Sequence, residues 1–144
     1  MNFKGISKLL VVILLSVGIL TGNAEASTPK NGGQWSSGVI QYKNYGTNST
    51  YKGYWTTAAS RWSQTGHVTM TETSGLDFEA GNYNAGNVSW DGLAEFRVTG
   101  AGSFTYMRTW LNSYHVSKAQ YTNSIIEGLA THEFGHAIGL GHND

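Results

Sequence analysis

Apolar and polar positions alternate in short stretches through most of the chain, and the spacing becomes helical in two places. Tyr51, Tyr54, Trp55, Ala58, Ala59 and Trp62 recur at i, i+3, i+4, i+7, i+8 and i+11, which is one face of an amphipathic helix. Asn48, Ser49 or Thr50 is placed to cap it, and Gly66 to follow its end. The aromatic stripe predicts core packing. From about Ser124 the helical period returns. Ile125, Ile126, Leu129, Ala130, Phe134, Ala137 and Ile138 cover most of the girth, so the pattern predicts a buried helix. Ser124 and Glu127 have the spacing of a capping box. Gly128, Thr131 and Gly135 form a small face that invites a close neighbour, and Ile125 and Leu129 are expected to anchor another face in the domain.

Between and before these helices, residues 39–42, 68–73, 76–80, 93–99 and 104–111 read as strands. Residues 81–92, rich in Gly and Asn, read as a loop, and 112–122 as a connector. Residues 27–38 are polar, hold Pro29 and read as a linker. Strand, helix, several strands and helix in that order predict an α+β domain, with helices packed on a mixed sheet.

The first residues have a different character. Lys4 and Lys8 precede an apolar run over residues 9–20, and Ala24-Glu25-Ala26 supplies a small-x-small cleavage pattern. This predicts a signal peptide cleaved near Ala26 and a secreted protein. The run is shorter than the roughly 18–20 residues of a spanning helix. The expected layout is a signal peptide over 1–26, a linker over 27–38 and the main domain over 39–144. Formal net charge is zero over the 144 residues. With no basic patch, neither nucleic acid nor an anionic membrane is an expected partner. There is no cysteine, so no disulfide helps to hold the fold, and a bound metal could contribute to its stability.

Such a metal has candidate ligands. His132 and His136 are four apart, so on a helix they share a face about one turn apart. Imidazole nitrogens so placed can converge on one zinc ion. Glu133 is rotated about 100° from the first histidine, within reach of a water on the metal without being a ligand. Gly139 can take positive φ, end the helix and turn the chain so that His142 returns as third ligand. Three protein ligands leave one position open, the mark of a catalytic site. Neutral imidazoles keep the metal's positive charge, and Glu133 is the candidate general base.

Residues 132–142, HEFGHAIGLGH, resemble the metzincin clan, and in detail are similar to the active-site helix of the matrixin family. Gly92-Leu93-Ala94-Glu95-Phe96 resembles the antiparallel edge strand of matrixins. The resemblance covers residues 34–142. It implies a metzincin-like (zincin) α+β domain with a twisted, mixed, mostly parallel five-stranded sheet and two or three helices. It also implies a secreted zinc metalloendopeptidase, with extended polypeptide bound by β-augmentation at Leu93 and Ala94. The family's methionine-containing turn follows the third histidine, whereas this sequence stops at Asp144 and Met107 lies upstream. The expectation is therefore a monomeric fragment of a longer protease, with a natural short form as the other reading. Nor is there a cysteine to block the zinc, and Asn143 after the third histidine indicates no subfamily.

Other residues carry weaker signals. His67 and His115 are expected to be solvated or hydrogen-bonded. Asp77, Glu79, Asp91 and Glu95 are calcium candidates, but their spacing matches no EF-hand loop. A rival reading is a non-catalytic secreted module that binds polysaccharide or protein through Trp90, Trp110 and Tyr114. It leaves the His-Glu-His-Gly-His pattern unexplained.

Overall fold

Alternation over the first strand puts Ile40 and Tyr42 on one face, and both are buried in the computed structural model, which describes residues 30–74 and 78–142. The elements run β1 (Val39–Tyr45), α1 (Ser49–Ser63), β2 (Thr69–Glu72), β3 (Phe78–Tyr83), β4 (Gly92–Val98), β5 (Phe104–Asn112), α2 (Ser113–Val116) and α3 (Asn123–Ala137). The strands form one sheet in the order β2-β1-β3-β5-β4. The pairs β1–β2, β1–β3 and β3–β5 are parallel, and β4 joins β5 antiparallel at the edge. This is the mixed, mostly parallel five-stranded sheet with three helices that was expected. The signal-peptide stretch, Pro29, Leu76, Asp77 and Asn143 lie outside the described residues. No helix among the described residues is long and apolar enough to cross a membrane.

α1 and α3 pack side by side on the sheet. α1 buries Tyr54, Trp55, Ala58 and Ala59, the predicted face. Asn48 is the N-cap, its side chain accepting from the Tyr51 N–H at 3.0 Å. Phe134 of α3 is fully buried at the centre of the core. Its ring stacks on Trp55 at 4.9 Å and meets Tyr42 and Phe78 edge-on, both at 5.2 Å. Each such aromatic pair adds about 0.5–1.5 kcal/mol beyond the area it buries. Polar contacts bind the two helices in register. The Trp62 indole donates to the Thr131 carbonyl (2.8 Å), Tyr54 donates to Asn123 (2.8 Å), and Arg61 pairs with Glu127 (2.7 Å). A Cβ on Gly135 would lie 3.2 Å from the Trp62 ring, so the glycine lets the indole lie close against α3. Gly128 faces open space. The close approach of the small face is thus confined to Thr131 and Gly135.

Four local expectations are corrected. β3 continues through Gly81, Asn82 and Tyr83, which read as loop. A Cβ on Gly81 would come 2.6 Å from the Trp110 ring, so its glycine answers to a neighbouring side chain and not to a turn. Asn82 is buried and accepts from the Thr47 N–H at 2.9 Å. Second, Thr122, not Ser124, caps α3; it sits in extended conformation with its side chain accepting from Ile125 N. Glu127 is engaged by Arg61 instead. Third, the connector holds the short α2, capped by Asn112. Fourth, Ile125 is 49% exposed and does not anchor its stripe, whereas Leu129 on the same stripe is half-buried against the core as expected.

Candidate metal centre

The outward stripe of α3 carries the candidate ligands. His132 and His136 leave the helix one turn apart, and the chain then reverses. Ile138 is the C-cap, and Gly139 takes φ +104°, a region that favours glycine. Leu140 N–H bonds back to the Gly135 carbonyl at 3.0 Å, closing the turn and delivering His142 to the same face. The three Nε2 atoms meet. They lie 3.1 Å apart for His132–His136, 3.0 Å for His136–His142 and 3.2 Å for His132–His142.

This geometry fits a zinc ion. Ligands 2.0–2.1 Å from a tetrahedral centre are separated by about 3.3 Å, close to the observed spacings. Among the described residues these three histidines form the group able to hold a metal. The Nδ1 of His136 lies 2.8 Å from the Leu140 carbonyl. A carbonyl can only accept, so Nδ1 carries the proton and Nε2 presents its lone pair to the shared point. Burial, with His136 and His142 adding to it, lowers the His132 pKa below its usual value and favours the neutral ligand form.

Glu133 lines the same cleft as the histidines, in the gap between α3 and β4. Its side chain is 4% exposed, and burial raises its pKa to about 7. The carboxylate lies against Gly92, where an added Cβ would be 2.4 Å from Oε1. A cleft of about 380 Å³ opens here, with Gly92, Leu93 and Ala94 on one wall and Leu129, Glu133 and the histidines on the other. Register holds that wall in place: Leu93 pairs with Trp110 and Ala94 with Thr109 of β5.

Asp91, which also lines the cleft, accepts a short hydrogen bond from Tyr121, and His115 Nδ1 lies 3.4 Å from its other oxygen. Asn112 accepts from Ala85 N–H and donates to the carbonyls of Gly86 and Trp90, fastening the loop that leads into β4. Asn112 did not stand out in the sequence, and Gly92 did so only as the first residue of the edge-strand segment, not as a neighbour of Glu133. The available signal was the position of Gly92 at the head of an edge strand beside a motif acid.

Of the calcium candidates, Glu79 pairs with Arg108 at 3.0 Å, Asp91 is engaged as above, and Asp77 is outside the described residues. Glu95 is exposed, as is His67. Trp90 and Trp110 both pack on Tyr83, with ring centroids 5.9 and 5.4 Å away, whereas Tyr114 lies in α2 under the Lys118 ammonium. Met107 is a buried residue of β5 in the core.

Sheet, helices and histidine cluster together define a metzincin-like architecture. In sequence, the chain is 33% identical over 135 residues to "Metallopeptidase AprA" of Pseudomonas marginalis. The match takes in 89% of this chain and 26% of that protein, so the chain spans about a quarter of its curated relative's length. In structure, it resembles the solved structure of myroilysin with a TM-score of 0.53 at 16% identity, covering 78% of this chain and 53% of that one. No family model matches the chain. The chain thus has a metzincin-like α+β fold and is similar over most of its length to one part of a metallopeptidase.

Proposed function

We propose that this domain provides the active site of a secreted zinc metalloendopeptidase. The observation that carries the reading is the meeting of three imidazole Nε2 atoms within 3.2 Å, beside a buried carboxyl that has no ion-pair partner among the described residues. His132, His136 and His142 hold the metal, and Gly139 makes the turn that brings the third of them. Bound zinc supplies Lewis-acid polarisation of the scissile carbonyl and of the attacking water. Glu133 takes the proton of that water on its carboxylate and returns it to the leaving amine nitrogen. A carboxyl raised toward 7 by burial is matched to both transfers near neutral pH.

β4 lies at the sheet edge, so the backbone groups directed away from β5 are open to another strand. An extended polypeptide pairs there with the main chain of Leu93 and Ala94 and passes its scissile bond over the histidines. Secretion follows the leader over residues 1–26, with cleavage near Ala26. Residues 39–144 then form the catalytic domain, acting as a monomer.

Glu133→Gln is the decisive variant. It keeps the shape and the metal ligands but cannot accept a proton. Zinc content should stay at one per chain, while casein hydrolysis falls about 10²–10⁴-fold. A chelator should abolish the wild-type activity and added zinc restore it. Hydrolysis by Glu133→Gln at the wild-type rate would overturn the mechanism.

A further inference from the structure

The backbone just before β1 contacts the end of the zinc helix, about a hundred residues away in sequence. An α-helix leaves its last four carbonyls without helical partners. In α3 the amide of Asn31 donates to the His136 carbonyl at 2.8 Å, and the indole of Trp35 donates to the Ala137 carbonyl at 2.7 Å. The Asn31 N–H donates to the Gly139 carbonyl in the turn itself at 3.0 Å. Lys30 and Leu140 form an antiparallel bridge. Leu140 also supplies the carbonyl that orients His136 Nδ1.

Two glycines allow this approach. A Cβ on Gly139 would stand 2.6 Å from the Gly33 carbonyl oxygen. A Cβ on Gly33 would overlap the Phe104 ring at 2.0 Å. The segment is itself held: Asn31 Oδ1 accepts from Gly33 N–H at 3.0 Å, and the Trp35 ring packs on Phe104 with centroids 5.1 Å apart.

We propose that Asn31 and Trp35 are positioning residues of the metal site. The segment they belong to clamps the turn from Gly139 to Gly141, and so fixes where His142 and the His136 tautomer face the metal. The inference rests on the zinc reading above and adds a requirement to it. The site is complete only when the stretch before β1 is seated. Neither residue touches the metal, so both act through the Leu140 carbonyl and the path of the turn.

Zinc affinity of the full chain, read by competition with a chromophoric chelator, tests this, with thermal unfolding of the metal-free protein alongside. Three single variants and a control separate the roles. Asn31→Ala removes both side-chain bonds. Asn31→Asp keeps an acceptor for Gly33 N–H but cannot donate to His136. Trp35→Phe keeps an aromatic ring but loses the donor to Ala137. Tyr54→Phe removes a hydrogen bond of similar length, 2.8 Å, at the far end of α3.

The clamp predicts zinc binding weakened about ten- to hundredfold in all three clamp variants, the usual reach of groups that orient ligands. In Tyr54→Phe it predicts unchanged affinity, whatever that variant loses in thermal stability. Cobalt loaded in place of zinc should show an altered visible spectrum in Asn31→Asp and a wild-type spectrum in Tyr54→Phe. If the wild type binds zinc and the clamp variants bind it equally well, the clamp is refuted and the zinc site stands. Equal weakening by Tyr54→Phe also refutes it, because the effect is then one of general stability. A wild type that binds no zinc overturns both readings.

Discussion

Alanine at Gly92 introduces one methyl group and presses it on the proposed general base. The new Cβ would lie 2.4 Å from Glu133 Oε1 and 2.9 Å from both Cδ and Cγ. Ordinary contact begins near 3.4 Å, so the carboxylate must withdraw by about 1 Å. A displacement of that size at a reacting group costs on the order of 10²-fold in rate, or about 2.7 kcal/mol of transition-state stabilisation. Folding should suffer far less. Gly92 does not have positive φ, and the atoms in the way belong to a side chain that can turn, not to backbone. Zinc affinity should also hold, because all three histidines are untouched. The assay is kcat and KM on a quenched fluorescent peptide, with zinc content and melting temperature measured on the same preparation. The expected outcome is a kcat loss near a hundredfold with zinc stoichiometry unchanged and stability within about 1 kcal/mol. A Gly92→Ala protein that turns over within threefold of wild type would refute the placement of Glu133 against this backbone.

The metal-free protein should show a pH signature of the same residue. Glu133 titrates near 4.5 when unfolded and near 7 when buried. Between those values the native chain holds the extra proton, so this group's contribution is favourable below about 4.5 and is lost as pH rises to 7, by roughly 3 kcal/mol. His132, lowered in the native state, contributes the opposite slope below its usual pKa. The readout is therefore the difference between wild type and Glu133→Gln in urea unfolding across this range, and parallel curves would count against the burial argument. In the core, Phe134→Ala empties the space among Trp55, Tyr42 and Phe78 and should cost about 3–5 kcal/mol; a loss below 1 kcal/mol by denaturant unfolding would mean that α3 is not seated on the sheet as described.

Periodicity located every principal element because the two large helices and the strands each bury one face. Tyr54, Trp55 and Ala58 show why α1 was legible: their spacing is the buried stripe itself. The histidine cluster was legible for a related reason, since a helix and one glycine turn bring His132, His136 and His142 together by local geometry alone. What escaped depends on partners distant in sequence. Gly81 and Asn82 resemble turn residues until Trp110 and Thr47 are placed beside them. Thr122 displaced Ser124 as cap because the helix begins two residues earlier, and Arg61 draws Glu127 away from any capping role. Ile125 is apolar yet exposed, because its stripe is the one the histidines share at the cleft. Asn31 and Trp35 gave no sign of a role, for their partners lie 105 and 102 residues on.

The central claim is that His132, His136 and His142 hold one zinc with a position left open. X-ray absorption at the zinc edge, on protein loaded with one equivalent and passed through a desalting column, tests it most directly. The account predicts retained metal with three imidazole nitrogens and one further light-atom ligand, all near 2.0–2.1 Å. Loss of the zinc on the column, or a shell of oxygen ligands without the imidazole signature, would contradict it.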